Sequence, residues 1–470
     1  MPELQPKVVI VGGGLSGLAT AFELQSRLHQ ADIQVLEASQ RLGGMLSTIK
    51  QQGYLVEQGP LSFSGDSIGI MKLCHQLNLT SQMISANPNV TRRFLVHDNT
   101  LQPIPRSMGQ ALTSPLYGMS SAYRLVTERF RSTRAAKDKL DESVYQFIER
   151  RIGTELADII ADALATERFG ADGKVISIRA GFSEIIRAER EYGSAISGWT
   201  KLKEAERRAA AKAGITLTNS QLTFSEGMQT LIDALQAKLK LPALCGIGVT
   251  SIKPSAEGMQ HRWQLHCSDG QTRSADMVIL ACPVSRQAAI LADMDHELAD
   301  LLMAIPLAGI ITLSLGYQRQ HVPEIVECQG ILIPQKLNKD ILKIDFASSV
   351  FPGHAPKGKV LLQLTMGGVA RKEMLSWEED AIIFAARREL RNMLRMTKPP
   401  HFCRLQKWPK AIPQYTLGHH SRVAKIADRV KRHEGLFLAG NAYHGITLSE
   451  TASHAERIAR AIRDMVRTRR

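Results

Sequence analysis

The sequence predicts an α/β fold that opens on a Rossmann-type unit and continues into a mixed-sheet part and a mostly helical part. Two observations predict it. A short apolar run, Val8-Val9-Ile10-Val11, leads straight into the glycines of Gly12-Gly13-Gly14-Leu15-Ser16-Gly17. Short β-branched runs bounded by turn residues return after Gly214 and alternate with helical segments.

Val8–Val11 reads as a parallel strand buried on both faces, because it is apolar without alternation. Gly12, Gly14 and Gly17 fit G-x-G-x-x-G, and Leu18 to Leu24 continues with helix formers. Gly12 permits the tight turn, Gly14 lets the backbone approach a pyrophosphate, and Gly17 lets the helix pack on the strand. The helix N-terminus offers free N–H groups and a positive dipole end to that pyrophosphate. Ile33-Gln34-Val35-Leu36 reads as the second strand, with Glu37 at its end. Glu37 follows Gly17 by about 20 positions, where a ribose-binding acid stands. Strand, glycines, helix, strand and acid in register point to a dinucleotide site. A glycine-rich turn in another α/β protein is the blander alternative.

Residues 94–104 look like a hairpin turning at Asp98-Asn99. From 106 to about 210 the pattern is mostly helical and rich in Arg and Lys. Its segment from Tyr123 to Lys139 is strongly basic and reads as a solvated helical face, with an anionic membrane surface as the other reading. Gly248-Val249-Thr250-Ser251-Ile252 and His261 to Cys267 read as strands. Asp276 to Cys282 is a buried strand stopped by Pro283. Ile305 to Leu315 is the most apolar stretch, another buried strand. Further strands are expected near Ile310, Ile331, Leu342 and Leu361, before a helix from Glu378 to Met396. Leu436 to Asn441 is a strand running into a loop. Ser449 to Val466 closes the chain as a helix, with Arg457, Arg460, Arg463 and Arg467 crowding the end that suits cations.

A chain of 470 residues has room for two or three domains. An apolar content of 44% and a charged content of 22% suit a soluble globular protein, and no apolar run approaches the ~18–20 residues of a membrane span. The short polar segment before Val8 leaves no room for a signal or transit peptide, so a bacterial cytoplasmic location is expected. Cys74, Cys245, Cys267, Cys282, Cys328 and Cys403 form no C-x-x-C pair and no zinc-like spacing. They read as scattered thiols of a reducing compartment, and no metal site is expected. The net charge of +14 leaves open an anionic lipid, a polyanionic substrate or a merely basic surface. Nucleic acid is disfavoured, because no binding module appears and only 5% of residues are aromatic.

Further stretches carry a resemblance. Arg41-Leu42-Gly43-Gly44 follows Glu37, with a glycine pair for close backbone approach and Arg41 as counter-charge. Glu57-Gln58-Gly59-Pro60 comes next, and Leu438-Ala439-Gly440-Asn441-Ala442-Tyr443-His444-Gly445-Ile446 stands near the end. Together with the opening motif they resemble the FAD-binding signature of the flavin amine oxidase superfamily. NAD enzymes of the Rossmann type lack the late element. Glu142 to Gly153, Glu191 to Ile196, Ser225 to Leu231, Leu280 to Val284 and above all Lys407-Trp408-Pro409-Lys410-Ala411-Ile412-Pro413-Gln414-Tyr415-Thr416-Leu417-Gly418-His419 look like segments of the protoporphyrinogen and coproporphyrinogen III oxidases. The similarity runs in order over nearly the whole chain.

The resemblance implies a discontinuous Rossmann-type FAD-binding domain (1–90, 212–300 and 425–470), a helical, membrane-binding-like lobe (91–211) and a mixed-sheet substrate domain (301–424). It implies FAD contacts at Gly12, Gly13, Gly14, Leu15, Ser16, Gly17, Glu37, Ala38, Arg41, Gly43, Gly44, Met45, Gly59, Pro60, Leu61, Ser62, Val249, Trp408, Gly440, Asn441, Ile446, Thr447 and Leu448. It implies substrate walls at Leu332, Ile344 and Met366, which read alone would be ordinary core residues of strands. The implied reaction is oxidation of a porphyrinogen to the porphyrin in haem synthesis, with dioxygen or another electron acceptor. Attachment to the inner face of the cytoplasmic membrane is compatible with the helical lobe. The macrocycle is electron-rich and the cofactor carries the chemistry, so no acid–base residue is required and none is nominated.

Two departures stand out. The family often has an Arg or Lys soon after the Gly-Pro pair, to meet a propionate; here Gly59-Pro60-Leu61-Ser62-Phe63-Ser64-Gly65-Asp66 offers Ser64 and Asp66. Arg92 and Arg93 are substitutes that sequence cannot place. Met45 stands where related flavoproteins often have Arg, which leaves the pyrophosphate to Arg41 and the helix N-terminus. Another flavin amine oxidase, acting on an amine or a carotenoid, is the alternative. Many amine oxidases carry a lysine on a substrate-domain strand, and Ile305 to Tyr317 contains none. A flavin-binding scaffold without activity is a third reading.

Overall fold

The structure is a computed structural model that describes residues 5–131 and 141–468. A five-stranded, all-parallel sheet lies at its centre, in the order Leu244–Cys245, Asp32–Glu37, Lys7–Val11, Met277–Leu280, Leu436–Leu438. The unbroken apolar run of the first strand follows from this place. Val8 and Ile10 pack under the helices Leu15–Gln25 and Leu448–Thr468, while Val9 and Val11 face the opposite core with Leu291 and Leu302. The strands of this sheet come from residues 7–37, 244–280 and 436–438, so this unit is discontinuous.

A mixed seven-stranded sheet forms the second layer. Its order is Phe402–Pro413, Leu307–Gln318, Lys359–Gly367, Ile341–Asp345, Gly330–Leu332, Arg93–His97, Thr100–Pro103. Every pair is antiparallel except Gly330–Leu332 with Arg93–His97. The expected hairpin is present, with Asp98 and Asn99 both at positive φ (47° and 56°), the twist a two-residue turn requires. Its expected grouping with the helical part is corrected. A lone hairpin is marginal in water, and this one inserts Val96 into the apolar cluster beneath the sheet. That cluster, with Ile311, Leu313, Leu364 and Leu390, is closed by the helix Glu379–Leu394.

The helical part contains Val144–Ile152, Thr154–Phe169, Ser183–Tyr192 and Ala195–Lys212. Ser143 and Gln146 form a capping box that starts the first of these, and Gly153 at φ 97° ends it. Arg151 is buried and ion-paired with buried Glu128, which also accepts bonds from Ser194 and from Ala195 N. Of the basic stretch Tyr123–Lys139, residues 132–139 lie outside the described residues. Its beginning continues the helix Met119–Thr127. Among the described residues no helix is long and apolar enough to cross a membrane.

Candidate cofactor and substrate site

The glycine loop lies at the carboxyl ends of Lys7–Val11 and Met277–Leu280, where the order of the parallel sheet reverses and ligands bind in such folds. Each glycine has a distinct reason. Gly12 has φ 117°, and a Cβ there would stand 2.8 Å from the Ala281 carbonyl carbon. At Gly17 a Cβ would stand 1.9 Å from the Gly12 oxygen, so the helix could not start this close to the strand. Gly14, which precedes the helix, would place a Cβ in open space, with nothing within 4 Å. That clear side of Gly14, beside the unpaired N–H groups of an 11-residue helix, fits a pyrophosphate.

A second loop closes on the first. Gly14 and Gly43 form a parallel bridge, and Gly43 N donates to Gly13 O at 2.8 Å. Arg41 folds over the pair and donates to the carbonyls of Leu42 (3.2 Å) and Gly44 (2.7 Å). Half-buried Met45 offers its carbonyl to the Gly59 turn, where a Cβ would stand 2.0 Å from it. Glu37 accepts from Gly13 N (2.6 Å) and from Ser39 N (2.8 Å), so its carboxylate sits at the loop. Exposed Ala38 faces the start of the strand Val249–Pro254, since a Cβ on Gly248 would lie 3.4 Å from the Ala38 Cβ.

The late loop completes this rim. Ala439 N donates to Leu280 O (2.8 Å), and Gly440 turns away at φ 119°. Buried Tyr415 spans the loop: its hydroxyl donates to Asn441 O (2.7 Å) and accepts from Gly445 N (2.9 Å). Burial pushes this phenol well above its ordinary pKa, which keeps it a donor. Stacked on it at 4.0 Å, buried His419 is held neutral, with its pKa driven down to about 3. Ile446 leads into Thr447, which caps the last helix through Glu450 N (3.2 Å), while Glu450 accepts from Thr447 N (2.9 Å). This fixes the helix that begins at Leu448.

The two sheets are tied together at the Gln58–Gly59–Pro60 turn. Trp408 Nε1 donates to Gln58 O (2.8 Å), Gln58 Nε2 to Gln406 Oε1 (3.0 Å) and Gln363 Nε2 to Gly59 O (2.7 Å). Glu57, fully buried, accepts from Met228 N and Thr48 Oγ1, and burial raises its pKa to about 7. Motif reading missed Gln363 and Gln406. The signal for Gln363 is a polar residue inside an apolar strand run, whereas Gln406 stands in a mixed strand and carries none.

Not every expected position converges. The Leu15 side chain belongs to the core, and Ser16 is buried with its carbonyl accepting from Thr20. Leu61 packs against Tyr54 and Phe351, and Ser62 bonds Gln221, so these two side chains turn away from the glycine loop. The trio Leu332, Ile344 and Met366 does not form one wall. Leu332 (2% exposed) packs with Leu95, Leu116 and Ile159, whereas Ile344 and Met366 (both 0%) lie on the opposite face with Ile331 and Ile382. Ile344 pairs with Ile331, the neighbour of Leu332, and adjacent residues on a strand point to opposite faces. Of the two substitute cations, Arg93 is half-buried on the Leu332 face and ion-paired with Glu167, while Arg92 is exposed.

A glycine loop at the switch point of a discontinuous parallel sheet, closed by a late loop and pinned to a second mixed sheet, defines a Rossmann-type dinucleotide-binding protein. The sequence profile of the flavin containing amine oxidoreductases matches residues 15–463, and the chain belongs to that family. The coproporphyrinogen III oxidase of Bacillus subtilis is 24% identical over 467 residues, covering 96% of each chain. The chloroplastic protoporphyrinogen oxidase of Nicotiana tabacum is 28% identical over 474 residues, 97% of this chain and 85% of the relative. The human protoporphyrinogen oxidase is 28% identical over 465 residues, 94% of this chain and 95% of its own. A solved structure of a candidate protoporphyrinogen oxidase from Exiguobacterium has the same fold, with a TM-score of 0.81 at 19% identity over 98% of this chain and 99% of its own.

Proposed function

We propose that this chain is an FAD-dependent oxidase that converts a porphyrinogen, protoporphyrinogen IX or coproporphyrinogen III, to the porphyrin in haem biosynthesis. Near full-length similarity to relatives bearing those names carries the reading. The clear space at Gly14 supports the cofactor. When bound, FAD supplies the acceptor for hydride from the macrocycle, and dioxygen or another acceptor takes the electrons onward.

The chain's own residues orient and exclude water. The helix start at Leu15 and Ser16 and the Gly43-Gly44 loop hold the pyrophosphate, with Arg41 swinging from its loop carbonyls to neutralise it. Glu37 holds the ribose, and Ala38 with Val249 flank the adenine. The backbone of Asn441 and of Ile446 to Leu448, braced by Tyr415, would hold the flavin end of the cofactor. The turn at Gly59 and Pro60, held by Trp408 and Gln363, would hold it as well. Leu332 is the apolar contact for the macrocycle. In this reading, segments 1–90, 212–300 and 425–470 bind FAD, and the mixed sheet with its 93–103 hairpin binds substrate.

The helical lobe rests on the membrane surface. Met119 and Phe130 are 91% and 74% exposed, beside exposed Tyr123 and Val126, and Arg129 lies over the Phe130 ring at 4.6 Å. Apolar side chains beside cations suit an anionic bilayer surface. Substituting Phe130→Glu should release the protein from phosphatidylglycerol vesicles in co-sedimentation; unchanged sedimentation rejects this part.

The oxidase reading is tested by incubating the FAD-loaded protein with each porphyrinogen and following porphyrin fluorescence. Formation well above autoxidation from at least one is expected. No acceleration with either rejects the proposal.

A further inference from the structure

On the sheet face that carries the Gln58 bonds, Gln406, Thr312, Thr365, Lys343 and Leu332 lie side by side on five adjacent strands. Each is paired in register with the next. With strands ~4.8 Å apart, the row runs ~14 Å from Gln406 to Lys343. Its Gln406 end is bonded to Gln58, at the turn assigned to the flavin. Lys343 is the one charged member of the row.

Lys343 stands on an inner strand, half-buried, where an amine is costly unless partnered. Its partner is Asp345, two residues on and on the same face, at 2.6 Å. Asp345 also interacts electrostatically with Arg93, whose own ion-pair partner is Glu167. A sequestered ion pair gains little over apolar side chains of the same volume. Lys343 and Asp345 are nevertheless the positions of their strand that remain partly open to solvent, and Thr365 beside Lys343 is partly open as well. What the pair provides is an ammonium with three donors at the far end of a floor that begins at the flavin turn. The segment after Gly59-Pro60, where a cation for the acid arms was expected, has only Ser64 and Asp66, bonded to each other at 2.6 Å.

We propose that Lys343 recognises a propionate of the substrate, with the carboxylate taking the place of Asp345 at its ammonium. This rests on the porphyrinogen reading and adds to it the residue that reads an acid arm. Asp345 holds the amine in place until the carboxylate arrives, then turns to Arg93.

The test separates the two claims. FAD-loaded wild type, Lys343→Gln, Lys343→Arg and Asp345→Asn are titrated with coproporphyrin III and with its tetramethyl ester, and binding is followed by porphyrin fluorescence. Lys343→Gln should weaken binding of the acid about tenfold and leave the ester unchanged, Lys343→Arg should restore the acid, and Asp345→Asn should bind it as tightly as wild type or tighter. With whichever porphyrinogen the wild type oxidises, Lys343→Gln should raise KM by a similar factor, with kcat within twofold. Equal loss for acid and ester, or no loss for either, overturns the assignment of Lys343. Failure of the wild type to oxidise either porphyrinogen overturns the oxidase reading, and the acid-against-ester comparison still decides Lys343.

Discussion

Substituting Gly14 and Gly17 by alanine separates the two uses the glycine loop makes of a missing side chain. At Gly14 the backbone (φ −78°, ψ −179°) is open to any residue and the new Cβ meets nothing within 4 Å. Gly14→Ala should gain ~0.4–1 kcal/mol from a less flexible unfolded chain, and lose a similar amount because alanine is the poorer N-cap. The apoprotein should therefore keep its stability within ~0.5 kcal/mol. The same Cβ stands where a pyrophosphate would approach, so bonds from the helix N–H groups to phosphate lengthen. Losing one charge-assisted bond of ~1.5–3 kcal/mol weakens FAD by ~10–150-fold. At Gly17 the Cβ would stand 1.9 Å from the Gly12 oxygen, so the helix or the strand must move. Gly17→Ala should cost the apoprotein ~1–3 kcal/mol or more, as overpacking does. Urea unfolding of the two apoproteins and fluorescence titration with FAD read both effects. Wild-type FAD affinity in Gly14→Ala, or wild-type stability in Gly17→Ala, refutes the assignment of the loop.

Tyr415→Phe removes the hydroxyl between Asn441 O and Gly445 N and leaves a buried N–H unpaired, a loss of ~1–3 kcal/mol. The flavin absorbance and reduction potential should shift with the fold intact, and an unchanged potential argues against bracing of the late loop. Glu57 is protonated more readily in the folded chain, with a pKa near 7 against an ordinary 4.5. The folded state then binds more protons between these values, so this group's contribution to stability falls as pH rises through that window, by at most ~3 kcal/mol. Glu57→Gln should flatten that slope in denaturation curves from pH 5 to 8; parallel wild-type and variant curves would contradict it. Arg151→Ala strands Glu128, and the loss should be near the lower end of ~3–5 kcal/mol because Glu128 keeps its bonds to Ser194 and Ala195. A loss below ~1 kcal/mol in urea unfolding would show that the pair is dispensable.

The sequence is most legible where structure is local. The spacing of Gly12, Gly14 and Gly17, the strand to Glu37 and the turn at Asp98-Asn99 each depend on a few consecutive residues, and the structure has them in place. Pairing between distant segments leaves no such mark. The hairpin Arg93–Pro103 looks self-contained, yet it is the edge of a sheet whose next strand is Gly330–Leu332. Leu332, Ile344 and Met366 are all apolar and all in strands, and only the register Ile331–Ile344 tells that Leu332 faces the other way. A register shift between Ile341 and Lys343 removes the parity that counting along the strand would supply. The bonds of Gln363 and Trp408 to the Gly59 turn join segments hundreds of positions apart, and the Tyr415 brace crosses a helix and a strand to reach its loop, so their roles appear only once the sheets are assembled.

The central claim is that electrons pass from a porphyrinogen to a flavin held by this chain. Mixing the FAD-loaded protein anaerobically with protoporphyrinogen IX or coproporphyrinogen III tests it most directly, with flavin absorbance and porphyrin fluorescence recorded together. The account predicts that the flavin bleaches as porphyrin appears, and that admitting oxygen restores the oxidised spectrum. A flavin that stays oxidised with both porphyrinogens but bleaches with an amine would contradict it.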